Sequence, residues 1–476
     1  MNIDVYNTHI EVYPYSKGDL PVIEHMYTAQ DKFSGNDFPC GYLIDGGKLY
    51  LARGTSVARL EDITGVRAKY IKESDLYEEM DRNHTPLYDP RNELQEDSIQ
   101  FLEDTANGHQ LSLNLRTGFG KSFCVAAAVC HLGIKALIIT PNDGLKLQWM
   151  NNTFVKMCGF KESELCNISG SPVMQAIMDN KIKPCDVYFV NHQTLQSYLA
   201  QTNGYQLHQF FKKIKVGIKV YDESHMDFGN ILLMDFFSNT ERTWYLTATF
   251  DRSDPSESAC FKRAFQTVVE FGGMESAAMS RKHVIYHTVN VSSNASPKDK
   301  AILMNYPGFN SVRYGKYALF HDKTDTLYQT ILNILQKTKD IEGKTLIFVP
   351  IIEAVDEIVT RLKRDFPEKS VSAYHSKMDK EEKEAGLINK DIIVSTIKSC
   401  GTGKDIKGLR TVICAEPIAS KVVTEQMFGR LREYAPDKDT YFWDIVDRSI
   451  PPLTWWHKAR MKKIQSLAKQ IINLQM

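Results

Sequence analysis

The stretch Leu111–Phe123, LSLNLRTGFGKSF, runs from an apolar strand through a glycine turn into the start of a helix. That order commits the surrounding chain to alternating strands and helices. A loop ending in Gly120-Lys121-Ser122 offers backbone N–H groups, an ammonium and a hydroxyl to a phosphate chain and its magnesium ion. The helix that starts there adds the positive end of its dipole. The residues placed to cradle a nucleotide phosphate are Thr117, Gly118, Phe119, Gly120, Lys121 and Ser122. One position departs from the usual GxxxxGK[ST] pattern, because Leu115 stands where the first glycine belongs.

At 476 residues the chain is long enough for about three domains of roughly 100–200 residues each. With 43% hydrophobic and 24% charged residues it has the composition of an ordinary globular protein. Lysine plus arginine equals aspartate plus glutamate at 58 each, so any polyanionic partner has to be held by local patches rather than by a global field. The nine cysteines include no CxxC pair, and Cys124, Cys130 and Cys414 sit inside apolar runs. This pattern predicts buried, reduced thiols instead of a disulfide frame or a zinc site. The N-terminal residues carry acids and no apolar block, and no run reaches membrane-spanning length, which together predict a cytoplasmic protein.

Four regions are expected: 1–85, 86–275, 276–450 and 451–476. In the first, VYNTHIEVYPY, CGYLIDG and KLYLARG read as strands, with a tight turn at Gly46-Gly47. VIEHMYTA and VARLEDITG read as short helices, the second ended by Gly65. This small α/β unit is either a scaffold or a substrate-recognition element. In the second region a helix beginning near Gln95 leads into the opening strand and loop. ALIIT, VYFVNHQTL, VGIKVYDESH and TWYLTATF follow as strands apolar on both faces, the mark of a doubly wound parallel sheet. Between Asp251 and Thr338 the pattern weakens and reads as a connection with a peripheral helix. From GKTLIFVP the alternation restarts as a second parallel domain without a phosphate loop. The last region spaces Ile464, Leu467, Ala468, Ile471 and Leu474 on one helical face, with Lys458, Arg460, Lys462, Lys463 and Lys469 as a basic exterior. A packing helix and a DNA-contacting helix are the two readings of it.

A second constellation stands at the end of VGIKVYDESH, where an apolar strand delivers Asp222 and Glu223. An aspartate so placed can hold magnesium on the phosphates, and the neighbouring glutamate can orient and deprotonate the attacking water. Ser122 would complete the metal shell. Phosphoryl transfer also needs a positive group against the charge of the transition state, and Gln426-Met427-Phe428-Gly429-Arg430-Leu431-Arg432 provides two arginines.

Seven segments in order, between about Leu87 and Val446, resemble the motif set of superfamily 2 helicases. RTGFGKS is similar to motif I, TPNDGLKLQW to motif Ia, DESH to motif II in DExH form and TAT to motif III; LIFVP is similar to motif IV, STIKSCGTGKDI to motif V and QMFGRLR to motif VI. Within that superfamily the chain looks most like phage branch-migration helicases of the UvsW kind, which also carry a small N-terminal α/β domain before two RecA-like domains. The resemblance implies that Gln95 reads adenine, with Tyr88 or Arg91 stacked on the base, and that Lys121 holds the β- and γ-phosphates. It implies that Asp222 binds magnesium, Glu223 activates water, and Thr247 and Thr249 link nucleotide to nucleic acid. Gly403 and Asp405 would sense the γ-phosphate and ribose side. Gln426, Arg430 and Arg432 match motif VI, whose common form QxxGRxxR is one residue longer, so either arginine is a candidate finger. The candidates for the nucleic-acid track are Thr140, Pro141, Gln148, Trp149, Asn191, His192, Gln193 and Thr396, contacting phosphates and reading no bases, with Trp149 more often a core aromatic than a base-stacking platform.

The activity implied is that of a monomeric, ATP- and magnesium-dependent DNA helicase or translocase. It would remodel forks and four-way junctions in phage-type recombination, repair or replication. The alternatives are an ATP-gated nucleic-acid clamp and an RNA or RNA–DNA hybrid helicase.

Overall fold

The computed structural model describes residues 1–30, 35–115, 119–224, 227–246, 255–272, 282–305, 308–400, 406–419, 421–432, 434–435 and 437–476. The chain divides into two compact units, Met1–Ala277 and Ala278–Met476. Among the described residues no helix is long and apolar enough to cross a membrane.

Unit 1 begins with β1 (Asn2–Val5) and β2 (His9–Tyr13), an antiparallel pair. The segment expected to form one strand from Val5 to Tyr15 is thus folded back on itself. The polar Asn7-Thr8 pair makes the turn because its groups find partners elsewhere in the unit. Asn7 Nδ2 donates to the carbonyl of Thr240 at 3.1 Å, and the Thr8 hydroxyl donates to that of Ser238. The helix Pro21–Met26 stops earlier than expected, and Thr28–Gln30 (β3) pairs with Asp37–Pro39 (β4). The intervening Tyr27 is buried, and its hydroxyl accepts from Thr55 Oγ1 at 2.9 Å, which turns the chain out of the helix. β5 (Tyr42–Asp45) and β6 (Lys48–Ala52) form the expected hairpin across Gly46-Gly47. With β7 (Lys69–Tyr70) they complete a five-stranded sheet of order β5-β6-β2-β1-β7.

The larger sheet of unit 1 comprises β8 (Gln110–Asn114), β9 (Ala136–Thr140), β10 (Leu165–Asn167), β11 (Val187–Asn191), β12 (Ile218–Tyr221), β13 (Arg242–Leu246) and β14 (Val269–Gly272). Its order is β10-β11-β9-β12-β13-β8-β14 and every pairing is parallel. Both faces are covered, as parallel sheets require. Leu111, Leu113, Ile138, Val220 and Trp244 pack with the helix Lys121–Leu132. On the opposite face Leu137, Ile139, Tyr221 and Tyr245 share one core with Ile3, Ile10, Leu49 and Leu51 of the N-terminal sheet. The small sheet is therefore part of the unit's core. Gly54 shows how close the join is: its N–H bonds the carbonyl of Ala264 at 3.2 Å, and a Cβ there would meet the carbonyl oxygen of Arg263 at 2.3 Å.

Unit 2 contains β15 (Val284–Val291), the hairpin β16 (Met304–Asn305) and β17 (Gly308–Phe309), then β18 (Lys344–Phe348), β19 (Val371–Tyr374), β20 (Ile392–Ser395), β21 (Leu409–Cys414), β22 (Thr440–Asp447) and β23 (Gln470–Gln475). The main sheet is again seven-stranded and all parallel, of order β19-β20-β18-β21-β22-β15-β23. The two RecA-like sheets with a small N-terminal α/β region are the architecture expected from the sequence.

Two parts of the chain differ from expectation. The weak segment before Thr338 contains β15, which lies inside the sheet between β22 and β23. The C-terminal stretch is a helix only over Pro451–Leu467, after which Gln470–Gln475 pairs with Ile285–Asn290. The β-branched Ile471-Ile472 pair suits a strand, and β15 offers an open edge to receive it. Arg460, expected on the basic exterior, is buried. Its guanidinium donates to Asp444 Oδ2 at 2.7 Å, where Tyr286 Oη at 2.6 Å and His457 Nδ1 at 3.0 Å also converge. The Arg460 charge holds Asp444 well below the usual carboxylate range despite its burial. Asp444→Asn should leave the guanidinium without its counter-charge and destabilise unit 2 by about 3–5 kcal/mol, read as a lowered urea midpoint.

Candidate active site

The C-terminal ends of β8, β9, β11, β12 and β13 fall on one edge of the unit 1 sheet, where open parallel sheets place ligands. The phosphate loop leaves β8 there. Arg116, Thr117 and Gly118 lie outside the described residues. Lys121 Nζ donates to the carbonyl of Leu115 at 2.5 Å, while the Leu115 side chain is buried in the core. The contact to the lysine is made by the Leu115 backbone oxygen and does not involve its side chain.

Gln95 is fully buried at the head of the helix Glu93–Glu103. Its Oε1 accepts from the Arg91 N–H at 2.8 Å, and its Nε2 donates to the carbonyl of Phe119 at 2.8 Å. An Arg91 guanidinium nitrogen donates to the same carbonyl at 2.9 Å. Both donors pass directly over Gly120, whose φ is +101° and whose added Cβ would lie 2.6 Å from Gln95 Nε2 and 2.8 Å from the arginine nitrogen. Only glycine fits here. Tyr88 and Arg91 are exposed.

β12 delivers Asp222, which is buried, and Glu223, which is half-buried. Asp222 Oδ2 accepts from the Trp149 indole N–H at 2.7 Å, and Oδ1 accepts from the Glu223 N–H at 3.0 Å. Burial first, and the Glu223 charge second, push the Asp222 carboxyl up to about 6, while Trp149 and the Lys121 ammonium act in the other direction. Glu223 has φ +49°, a left-handed conformation that costs on the order of 1 kcal/mol or more and concentrates at active sites. Ser224 is buried behind it. The Ser122 hydroxyl and the Asp222 carboxylate are oxygen donors of the kind magnesium takes. Among the described residues no group of three or more His, Cys, Asp or Glu side chains is placed to hold a metal ion. A lone carboxylate with a hydroxyl suits magnesium, which retains several waters. A carboxyl driven towards neutrality by burial also gains from a bound cation.

The remaining edge residues are held by bonds within the unit. Thr140 is buried and its Oγ1 donates to the Asn142 carbonyl at 3.1 Å. Asn191 Oδ1 accepts from the Thr194 N–H at 2.8 Å, and its Nδ2 donates to Asp143 Oδ1 at 2.8 Å. Gln148 is half-buried and Gln193 exposed. Trp149 and His192 do not face a track. Trp149 packs in the core behind Asp222, and His192 is buried with its ring stacked 5.9 Å from that of Tyr221.

In unit 2, Thr396 is buried at the end of β20. Its Oγ1 donates to Ser399 Oγ at 3.0 Å and accepts the Ser399 N–H at 3.3 Å. Gln426 lies in the helix Lys421–Phe428, Arg430 is half-buried and Arg432 exposed. The side chain of Gln426, together with Thr247, Thr249, Gly403 and Asp405, lies outside the described residues. Glu416 was not anticipated. It follows β21, accepts the Ile397 N–H at 3.0 Å, and burial pushes its carboxyl up to about 7. The acid closing the apolar run RTVICAE was the available signal.

The family described as DEAD/DEAH box helicase matches residues 92–257, and the helicase conserved C-terminal domain matches residues 322–433. Together these matches span more than half of the chain. The chain is a superfamily 2 helicase. It is accordingly an ATP-hydrolysing enzyme that acts on nucleic acid. No curated protein matches this helicase in sequence. Among solved structures it resembles Mss116p bound to ssRNA and AMP-PNP, with TM-score 0.54 and 14% identity, over 80% of this chain and 77% of that one. It also resembles the type ISP restriction-modification enzyme LlaBIII bound to DNA, with TM-score 0.55 and 15% identity, over 82% of this chain and 32% of that one. Phage T4 UvsW aligns over 100% of this chain and 99% of its own at 16% identity, with TM-score 0.37.

The Trp149–Asp222 bond offers a test of whether Asp222 takes part in the chemistry. Trp149→Phe keeps an aromatic ring in the core and removes one donor to a charged group, so ATP hydrolysis should fall about tenfold. The lost N–H lowers the Asp222 pKa, and the role proposed for Asp222 needs it ionised. The acidic limb of the ATPase pH profile should therefore move to higher pH, and an unchanged profile would refute the assignment.

Proposed function

We propose that this helicase is a monomeric, ATP-driven DNA translocase that remodels forks and four-way junctions, working in the cytoplasm of a bacterial or phage-infected cell. The observation that carries the reading is the N-terminal sheet built into the core of unit 1. Its strands share side-chain packing with Leu137 and Ile139 of β9, next to the nucleotide site. An accessory element fixed so firmly to a RecA-like sheet can hold one arm of a junction while the motor draws on another. The motif order and the small leading α/β region also support a place among branch-migration helicases of the UvsW kind.

In this proposal Gln95 reads adenine, the loop residues Thr117 to Ser122 cradle the phosphates, and Lys121 neutralises the β- and γ-phosphate charge. Ser122 and Asp222 would hold magnesium, which would supply positive charge against the phosphate oxygens. Glu223 takes a proton from the attacking water. Arg430 and Arg432 offset the charge of the transition state, and Gln426, Gly403 and Asp405 respond to the γ-phosphate. Thr247 and Thr249 pass the nucleotide state to a backbone track formed by Thr140, Gln148, Asn191 and Thr396.

Removing the N-terminal sheet would expose the apolar face that carries Leu137 and Ile139, so substrate preference is best tested in the full chain. ATPase activity should rise most with forked or four-way DNA, less with single-stranded DNA and least with RNA. Lys121→Ala and Glu223→Gln should each abolish that stimulated activity. Wild-type turnover in both variants contradicts the assigned chemistry, and strongest stimulation by RNA contradicts the assigned substrate.

A further inference from the structure

The helix Pro451–Leu467 has a fixed inner face. Leu453, His457, Arg460 and Ile464 are buried, and Arg460 and His457 converge on Asp444. Trp456 is held by an edge-to-face contact with Phe309, at a centroid distance of 5.3 Å. With the helix clamped in this way, its outer face has a defined orientation. Trp455, Lys458, Lys462 and Gln465 are exposed on it. Their spacing of three, four and three residues aligns them in one stripe. The Trp455 indole is 62% exposed, and Trp is normally covered. Neither Lys458 nor Lys462 forms an ion pair among the described residues, and no acid occurs after Asp447 in the sequence.

The helix starts four residues after β22 ends, on the edge of the unit 2 sheet that also carries Thr396 at the end of β20. A bare indole followed by two unpaired ammonium groups matches one kind of ligand: a π-face beside a line of negative charge. The base of a single strand offers its face, whereas duplex bases are stacked and closed to it. The two lysines are about 6 Å apart along the helix axis, a spacing suited to successive phosphates of an extended strand.

We propose that this outer face is a contact for single-stranded nucleic acid, with an unpaired base stacked on Trp455 and adjacent phosphates against Lys458 and Lys462. The proposal rests on the helicase reading and adds a site outside its motifs. The stripe would hold a strand already opened and oppose its re-annealing.

The test uses the full chain and a fluorescein-labelled oligo(dT) of twenty nucleotides, with a duplex of equal length for comparison, read by anisotropy over a range of salt. Trp455→Ala should weaken oligo(dT) binding by about tenfold and Trp455→Phe by much less, because one stacked base is worth roughly 1–3 kcal/mol. Lys458→Gln with Lys462→Gln should reduce the slope of log affinity against log salt by about 1.4, the expected effect of two lost phosphate contacts on a single strand. Duplex affinity and ATP hydrolysis without nucleic acid should stay at wild-type values. If the variants bind oligo(dT) as the wild type does, the stripe is not a strand contact, although the helicase reading stands. Equal losses for oligo(dT) and duplex also overturn the proposal. If the wild type binds neither nucleic acid, the helicase reading itself fails.

Discussion

Asp222 places a carboxylate inside the protein at the end of an apolar strand, and much of unit 1 serves to make that tolerable. An unpaired buried charge costs several kcal/mol, and three elements relieve it. β9 leads into the segment that brings the Trp149 N–H, β8 leads into the loop that brings Lys121, and the left-handed turn at Glu223 adds a backbone N–H. Parallel pairing of β9, β12, β13 and β8 sets these three ends on one edge. The relief is incomplete, since the carboxyl remains raised. A magnesium ion on the phosphates would supply further positive charge beside this carboxyl.

The turn that carries Asp222 is also anchored from below. Lys219, two residues before Tyr221 on the same strand, is buried against Asp235 at 2.6 Å on the helix that follows the acidic loop. Tyr221 Oη and Tyr245 Oη donate to the same carboxylate at 2.7 and 2.8 Å. Ser238 accepts from Lys219, and its carbonyl accepts from Thr8 of the N-terminal hairpin. A single polar network thus ties β12, β13 and the N-terminal sheet together. Movement of that sheet would be felt at the strand end that bears Asp222, which gives an accessory element a physical route to the acidic turn.

The sequence revealed the parts whose local chemistry is sufficient. β8, β9, β11, β12 and β13 are apolar on both faces, and the Gly-Lys-Ser turn and the Asp-Glu pair follow directly on two of them. β15 was hidden because HVIYHTVNV mixes His287, Thr288 and Asn290 into the strand, and the first two are buried only through partners far along the chain. β23 was read as helix because Ile471 and Leu474 satisfy a helical period; the deciding factor was the open edge of β15. Arg460 reads as a surface cation until Asp444 is seen beside it. The Trp149–Asp222 bond spans 73 residues and leaves no mark in either local pattern.

ATP turnover at the Asp222 site is proposed to move nucleic-acid strands. Strand release from a forked DNA and from a four-way junction, followed in real time with ATP and with a non-hydrolysable analogue, tests it most directly. The account predicts strand displacement and junction movement with ATP only. Binding and hydrolysis with no displaced strand on either substrate would contradict it and leave an ATP-gated clamp.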